Sequence, residues 1–422
     1  MNKLDIARLC IYNKAMALIS LRPALSIKGG VFMFYLGIDI GKNNHVASLI
    51  DDKGKPVFKA FSFTNSTIGA NSLLEKISNF KEIEIGMEAT GHYWLALYSF
   101  LIEHNFVIHV INPIQTDGWR NATQIRKHKT DAIDSMIIAD FIRYGDLKET
   151  QLASEEILEL RDLTRFRNYQ VSSISDLKRK TICVLDQVFP EYESIFSDVF
   201  GKTSKEILMS FDSLSDFADI STDKLEKILE NITLKGFAKK KLKVISEAAK
   251  TSFGITYGLQ SLIFQLRQLI AQINFIEQQV KQLEKKISTL LKALNSPITT
   301  IPGIGEINGA TILSEIGDIH RFDNPKKLVA FAGLDASVKQ SGDSNSNKTK
   351  MSKRGSPFLR TAIFSAAQVA SNHDPVFKAF YQRKLSEGKH HLTCVGAVAR
   401  KLCYTIHAIL TKNCPYEIQL NS

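Results

Sequence analysis

Cysteine is scarce in this chain and its arrangement suits no framework. Only five occur, Cys10, Cys183, Cys394, Cys403 and Cys414, none in Cys-x-x-Cys spacing. An odd, scattered set excludes a disulfide scaffold and a thiolate zinc site, and implies a reducing compartment. Long apolar runs are missing as well: no stretch approaches the ~18 uncharged residues that would span a bilayer. Lys14 interrupts the apolar block that a secretory leader would need. Repeats and long low-complexity segments are also lacking. The expectation is a soluble, cytoplasmic protein with no membrane partner.

What is present is a long chain with an excess of base. Its 422 residues suggest two or three domains. With 44% hydrophobic and 23% charged residues it can bury real cores, which excludes wholesale disorder. Lys plus Arg is 54 against 43 for Asp plus Glu, a net charge of +11. That balance points to a polyanionic partner, most simply nucleic acid.

Residues 1–32 mix basic residues with short apolar runs broken by Pro23 and Gly29-Gly30. We expect a dispensable extension, read from an upstream start. From Tyr35 the pattern becomes regular. YLGIDIG (35–41), HVASLID (45–51) and PVFKAFSFT (56–64) read as three strands, the last two around a Gly54 turn. Helical spacing over 67–80 is followed by a strand at 82–90, a helix at 92–105 and a strand at 106–113 stopped by Pro113. After a basic loop, 131–145 is an amphipathic helix ended by Gly145. Three antiparallel strands and then alternating helix and strand describe an α/β ribonuclease-H-like domain over 33–150.

Beyond residue 150 the pattern is helical. Ile157 to Val188 shows loose heptads, with Arg167 and Gln170 interrupting the seam. Residues 190–245 form a helical insert rich in Lys and Ser. From Leu262 to Leu294, apolar residues alternate steps of four and three through Leu266, Leu269, Ile273, Ile276, Val280, Leu283, Ile287 and Leu290. That register is a coiled-coil signal favouring two strands, paired with 157–188, with another protomer, or with both. A coiled-coil and helical region over 151–295, a mainly α-helical C-terminal domain over 296–412 and a tail at 413–422 complete the division.

Four acids have a reason to meet. Asp39 ends an apolar strand, and Glu88 ends the strand expected beside it. Asp131 and Asp134 share one side of a first helical turn, where acids also simply favour the helix dipole. Gathered carboxylates repel one another unless a cation sits between them. Hard divalent ions such as Mg²⁺, or Mn²⁺, take such oxygen ligands, and two of them can stabilise both oxygens in phosphodiester chemistry. Lys42, Arg126, Lys127 and Lys129 flank the acids and are candidates for holding a phosphate backbone.

The C-terminal domain opens on IPGIGEINGATIL, which has the look of a helix-hairpin-helix element, with Gly303 and Gly305 letting backbone N–H groups approach a phosphate. A polar basic stretch follows, carrying Lys339, Lys348, Lys350, Lys353, Arg354 and Arg360 as candidate nucleic-acid contacts. It also holds serines, and a serine becomes a nucleophile only where its developing charge is stabilised. Composition does not distinguish Ser341 from Ser337, Ser344, Ser346 or Ser352.

Eight blocks in order, GIDIGKNNHVA, GMEATGHYW, NPIQTDGWR, KTDAIDSMIIADFIR, IPGIGEINGATIL, FAGLDASVKQSG, SKRGSPFLRTAIFSAA and HDPVFKAFYQRKLSEGK, resemble the DEDD-type transposases of bacterial insertion sequences. These are the IS-one-ten family, related to the Piv DNA invertases, and the likeness runs from about residue 33 to 412. The resemblance implies a RuvC-like N-terminal domain with Asp39, Glu88, Asp131 and Asp134 as a Mg²⁺-binding tetrad. It also implies a nucleophile at Ser341, donor and target DNA as substrates, and an element-encoded guide RNA. Dimers assembling into tetramers, and a nucleoid-associated location, are implied too. Two rivals remain: a RuvC-like nuclease in which water attacks, and a non-catalytic nucleic-acid-binding protein.

Overall fold

The structure is a computed structural model. It describes residues 33–123, 130–145, 147, 150, 153–211, 214–218, 230, 235–337, 340–341, 344–345 and 350–418. The expectations for residues 1–32, Arg126, Lys127, Lys129, Lys339 and Lys348 lie outside the described residues. The chain divides between residues 152 and 153 into two compact units.

The first unit is a mixed sheet with helices on both faces. Its elements are β1 (Phe34–Asp39), β2 (Asn44–Ile50), β3 (Pro56–Thr64), α1 (Thr67–Ile77), β4 (Ile83–Glu88), α2 (Trp94–Glu103), β5 (Val107–Ile111), α3 (Pro113–Thr123) and α4 (Asp131–Tyr144). The strand order is β3-β2-β1-β4-β5; β1, β2 and β3 pair antiparallel, whereas β1, β4 and β5 run parallel. Alternation along β1 sorts the two faces. Leu36 and Ile38 bury against Leu73 and Ile77 of α1 and Leu97 and Leu101 of α2. The intervening Tyr35, Gly37 and Asp39 belong to the face that α4 covers.

Two glycines set how closely α4 lies. A Cβ on Gly37 would stand 2.0 Å from the Ser135 carbonyl oxygen and 2.4 Å from the Ala139 nitrogen. One on Gly86, its partner on β4, would stand 2.8 Å from the Ile142 side chain. The helix backbone therefore rests on bare strand, and the Ser48 and Ser135 hydroxyls, 2.8 Å apart, close the contact. The region expected as a basic loop after β5 is different in its first half. Pro113, which stops the strand, also begins α3, its fixed φ and missing N–H suiting a first helical position. Few of α3's residues are apolar, so periodicity does not reveal it.

The second unit is mostly helical. It contains α5 (Glu155–Val188), α6 (Tyr192–Ile195), α7 (Lys202–Met209), α8 (Leu214–Ala218), α9 (Lys235–Lys250), α10 (Leu259–Ala293), α11 (Glu306–Ile316) and α12 (Pro325–Phe331). Four two-residue strands follow, β6 (Ala336–Ser337), β7 (Gln340–Ser341), β8 (Ser344–Asn345) and β9 (Lys350–Met351), then α13 (Pro357–His373), α14 (Pro375–Ser386) and α15 (His391–Lys412).

The coiled-coil register is used within the chain: α5 and α10 pack side by side. Lys286 meets Glu159, Glu284 meets Arg167, Gln279 meets Gln170 and Glu277 meets Lys178. One set of numbers rises as the other falls, so the pair is antiparallel. Ile174, Ile273 and Val280 form the apolar middle of the seam. The residues that interrupt the heptads of α5 thus have polar partners opposite: Arg167 holds Glu284 at 2.7 Å, and Gln170 reaches Gln279 at 3.4 Å.

The insert has its own core, in which Val184, Leu185 and Val188 of α5 and Ile263, Leu266 and Ile270 of α10 meet Tyr192, Ile207, Phe211 and Leu242. The other end of the helix pair enters the C-terminal core through Leu160, Ile287 and Leu291, beside Ile312, Ile363 and Leu402. Buried Glu315 on α11, 3% exposed, fastens this end: Arg165 grips it with two bonds of 2.6 and 3.0 Å. The Ser356 hydroxyl, at the N-cap of α13, donates to the same carboxylate at 2.8 Å.

Candidate active site

β1 and β4 pair in parallel register through Ile38 and Met87, so the next residues, Asp39 and Glu88, end neighbouring strands side by side. By alternation both belong to the face under α4, as Gly37 and Gly86 do. α4 contributes its first turn at that level. Thr130 caps the helix, its hydroxyl accepting from the Ile133 N–H at 3.3 Å. Asp131 is exposed, and Asp134, 7% exposed, lies one position from Ser135, the residue that touches Gly37. All four acids therefore belong to one end of one face of the first unit. The sheet supplies two and the helix two.

Two of these side chains, Glu88 and Asp134, are held by α3. The Thr116 hydroxyl, itself buried, donates to Glu88 Oε2 at 2.8 Å, and Thr90 Oγ1 lies 3.3 Å from Oε1. One turn along, Arg120 Nη2 stands 2.9 Å from Asp134 Oδ1. Between them, Trp119 Nε1 donates to Asp140 on α4 at 3.2 Å, and its ring lies against Phe141 and Tyr144. Reading the sequence for acids alone missed Thr116, Trp119 and Arg120; the signal was their i, i+3, i+4 spacing, which faces one side of a helix.

The donor set fits a hard divalent cation, because every candidate ligand is a carboxylate and one of them is buried. Among the described residues, however, no three His, Cys, Asp or Glu side chains converge closely enough to hold a metal ion. Asp134 is directed to Arg120, and Glu88 to Thr116. Lys42 is exposed in the turn between β1 and β2, at the same end of the sheet.

The remaining candidates lie in the second unit. Gly303 joins a 3₁₀ turn (Pro297–Thr300) to α11, so a short turn stands where a first helix of the hairpin element was expected. Its φ of 85° needs glycine, and a Cβ there would stand 2.3 Å from the Ala366 carbonyl oxygen. That glycine serves close packing against α13. Gly305 differs: it is the N-cap of α11, and a Cβ there would meet nothing within 4 Å. Among its described residues the polar stretch forms short strands. β6 pairs with β9, and β7 with β8, Ser341 lying opposite Ser344. Ser352 donates to the Asp335 carboxylate. Lys350 is in β9, and Lys353 and Arg354 are exposed just beyond it. Arg360 turns inward, donating to the Ala332 carbonyl at 3.3 Å.

Residues 36–190 match a family model described as transposase, of the DEDD IS110 type, and residues 295–382 match one described as transposase of the IS116/IS110/IS902 family. The chain belongs to the IS110 family of transposases. Like others in that family it is an enzyme of DNA transposition, and the family suggests dependence on a divalent metal ion. This transposase is 25% identical to the pilin gene-inverting protein of Moraxella bovis, covering 92% of this chain and 98% of that one. It is 23% identical to an uncharacterized protein of insertion element IS116 from Streptomyces clavuligerus, over 89% of this chain and 94% of that protein. A shorter match, 30% identical over 28% of this chain and 34% of the relative, is to the transposase of IS1111A in Coxiella burnetii. No helix among the described residues is long and apolar enough to cross a membrane.

Proposed function

We propose that this transposase cuts and rejoins DNA as a site-specific recombinase, using a RuvC-like acidic site and a serine nucleophile. Asp39, Glu88, Asp131 and Asp134 are the metal ligands, in the order that the letters DEDD spell. The observation that carries this reading is the parallel pairing of β1 with β4, which ends Asp39 and Glu88 side by side under the first turn of α4. Mg²⁺ is the ion we expect, with Mn²⁺ as a substitute; when bound it would polarise the scissile phosphate and neutralise the carboxylates.

Ser341 is the nucleophile in this reading. Its oxygen bonds to phosphorus as the bond from phosphorus to the deoxyribose oxygen breaks, and the departing sugar oxygen takes a proton. A hydroxyl of the recombining strand then attacks the phosphoserine, restoring a phosphodiester and freeing the serine. Each step exchanges one phosphate ester for another, so no nucleotide hydrolysis is required. Lys42, Arg126, Lys127 and Lys129, with Gly305 and the basic residues Lys339, Lys348, Lys350, Lys353 and Arg354, are assigned to phosphate backbones. An element-encoded RNA supplies the sequence choice, and the protein works as dimers joined into tetramers.

The deciding experiment stalls the reaction and runs it on a denaturing gel. We expect protein covalently attached to DNA, lost together with strand joining in Ser341→Ala. Cleavage and joining by Ser341→Ala would leave water as the nucleophile and Ser341 without a chemical role.

A further inference from the structure

α3 presents two side chains, Thr116 and Arg120, to the acidic end of the sheet, and the second of these contacts is ionic. Arg120 and Asp134 are 2.9 Å apart, with side chains 16% and 10% exposed, so both charges are largely out of water. Asp117, the other acid near Arg120, is 3.6 Å away and mostly exposed. Thr116 holds Glu88 from the preceding turn and Trp119 anchors the helix on α4. The guanidinium thus stands at the acidic end of the sheet, against one of the Asp134 carboxylate oxygens that a metal ion would compete for. A fixed cation at that point offsets the repulsion of the acids as a divalent ion would.

We propose that Arg120 is a positioning residue: a built-in counter-ion that holds Asp134 and competes with the divalent ion for its carboxylate. A metal ligating Asp134 displaces the guanidinium. Arg120 then faces the same end of the sheet with its planar fork released from Asp134 and only the exposed Asp117 beside it, a geometry suited to two oxygens of one phosphate. Metal loading and nucleic-acid docking are coupled through this one side chain, and by linkage each favours the other. This inference rests on the metal reading of the four acids given above and adds to it the residue that tunes their affinity.

The test is Mn²⁺ binding to the full chain without nucleic acid, followed by the electron paramagnetic resonance of free Mn²⁺. Arg120→Gln should bind Mn²⁺ about tenfold more tightly than the unaltered protein, and its melting temperature should rise more on Mn²⁺ addition. Arg120→Lys keeps a charge but loses the fork, and should bind about threefold more tightly. It also serves should the glutamine variant fail to fold. Unchanged or weaker Mn²⁺ binding per folded molecule in both variants overturns the proposal, since a purely structural Arg120 would cost stability without raising affinity. Asp134→Asn separates the two levels: Mn²⁺ binding that persists unaltered in this variant removes the metal reading itself.

Discussion

His45 on β2 carries a chemical tension that its neighbours do not relieve. It is 1% exposed, its ring set edge-on to Phe63, and neither ring nitrogen has a hydrogen bond that meets normal geometry. Burial pulls its pKa below the ordinary 6.5, with the Asn65 side chain pulling weakly the other way. The folded protein therefore keeps His45 neutral at pH values where the unfolded chain would protonate it. The sign follows: the folded state is favoured fully above 6.5 and loses stability as pH falls from there through the lowered value. We predict that melting temperature declines over this window and that His45→Leu flattens the decline. Calorimetric scans across the interval check it, and identical slopes would remove His45 as the cause. Asp39, Glu88, Asp131 and Asp134 could be singled out from their positions at strand and helix ends. His45 could not, because its burial depends on Phe63 across the strand pair.

At the level of elements, the contact between β1 and α4 fixes the candidate site. Gly37 has no room for even a methyl group, since a Cβ there would collide with backbone atoms of Ser135 and Ala139 that cannot rotate away. Gly37→Ala should cost about 3 kcal/mol, the upper end for overpacking. It should also lift the first turn of α4 away from Asp39. Denaturant titration measures the first effect and loss of Mn²⁺ binding by the folded remainder the second; an unaffected protein would show that the helix rides free of the strand. Period-2 alternation and Gly145 mark β1, β2, β3 and α4 in the sequence, because strands half-buried on a sheet and a helix with a clear stop leave such patterns. α3 leaves none. Its stabilising contacts are polar and reach across to other elements through Thr116, Trp119 and Arg120, so a reading of apolar spacing passes over it. The partner of α10 was equally open in the sequence: an unbroken heptad register says that a seam exists, and contacts such as Glu284 with Arg167 and Gln279 with Gln170 identify α5 as what fills it.

For the whole molecule, the excess of eleven positive charges sets how it meets nucleic acid. Each phosphate contact releases condensed counterions, so affinity for duplex DNA should fall steeply as salt is raised. Lys353 and Arg354 are exposed beyond β9, and exchanging both for glutamine should lower the log–log salt slope by about 2 without altering sequence preference. Binding isotherms at several salt concentrations measure it; an unchanged slope would take both residues out of the interface.

The antiparallel pairing of α5 with α10 also bears on how the chain is made. α5 leaves the ribosome with an apolar stripe whose partner begins only at Leu259, and residues 189–258 must be synthesised first. At ordinary elongation rates that wait is on the order of 10 s. Val184, Leu185 and Val188 need not stay bare throughout, for Tyr192, Ile207 and Phe211 emerge early and share their core. We predict that the helices of the insert shelter the end of α5 until α10 arrives to complete their shared core. Deleting them should lower the soluble fraction of newly made chain in a cell-free translation, and an unchanged soluble fraction would remove that role.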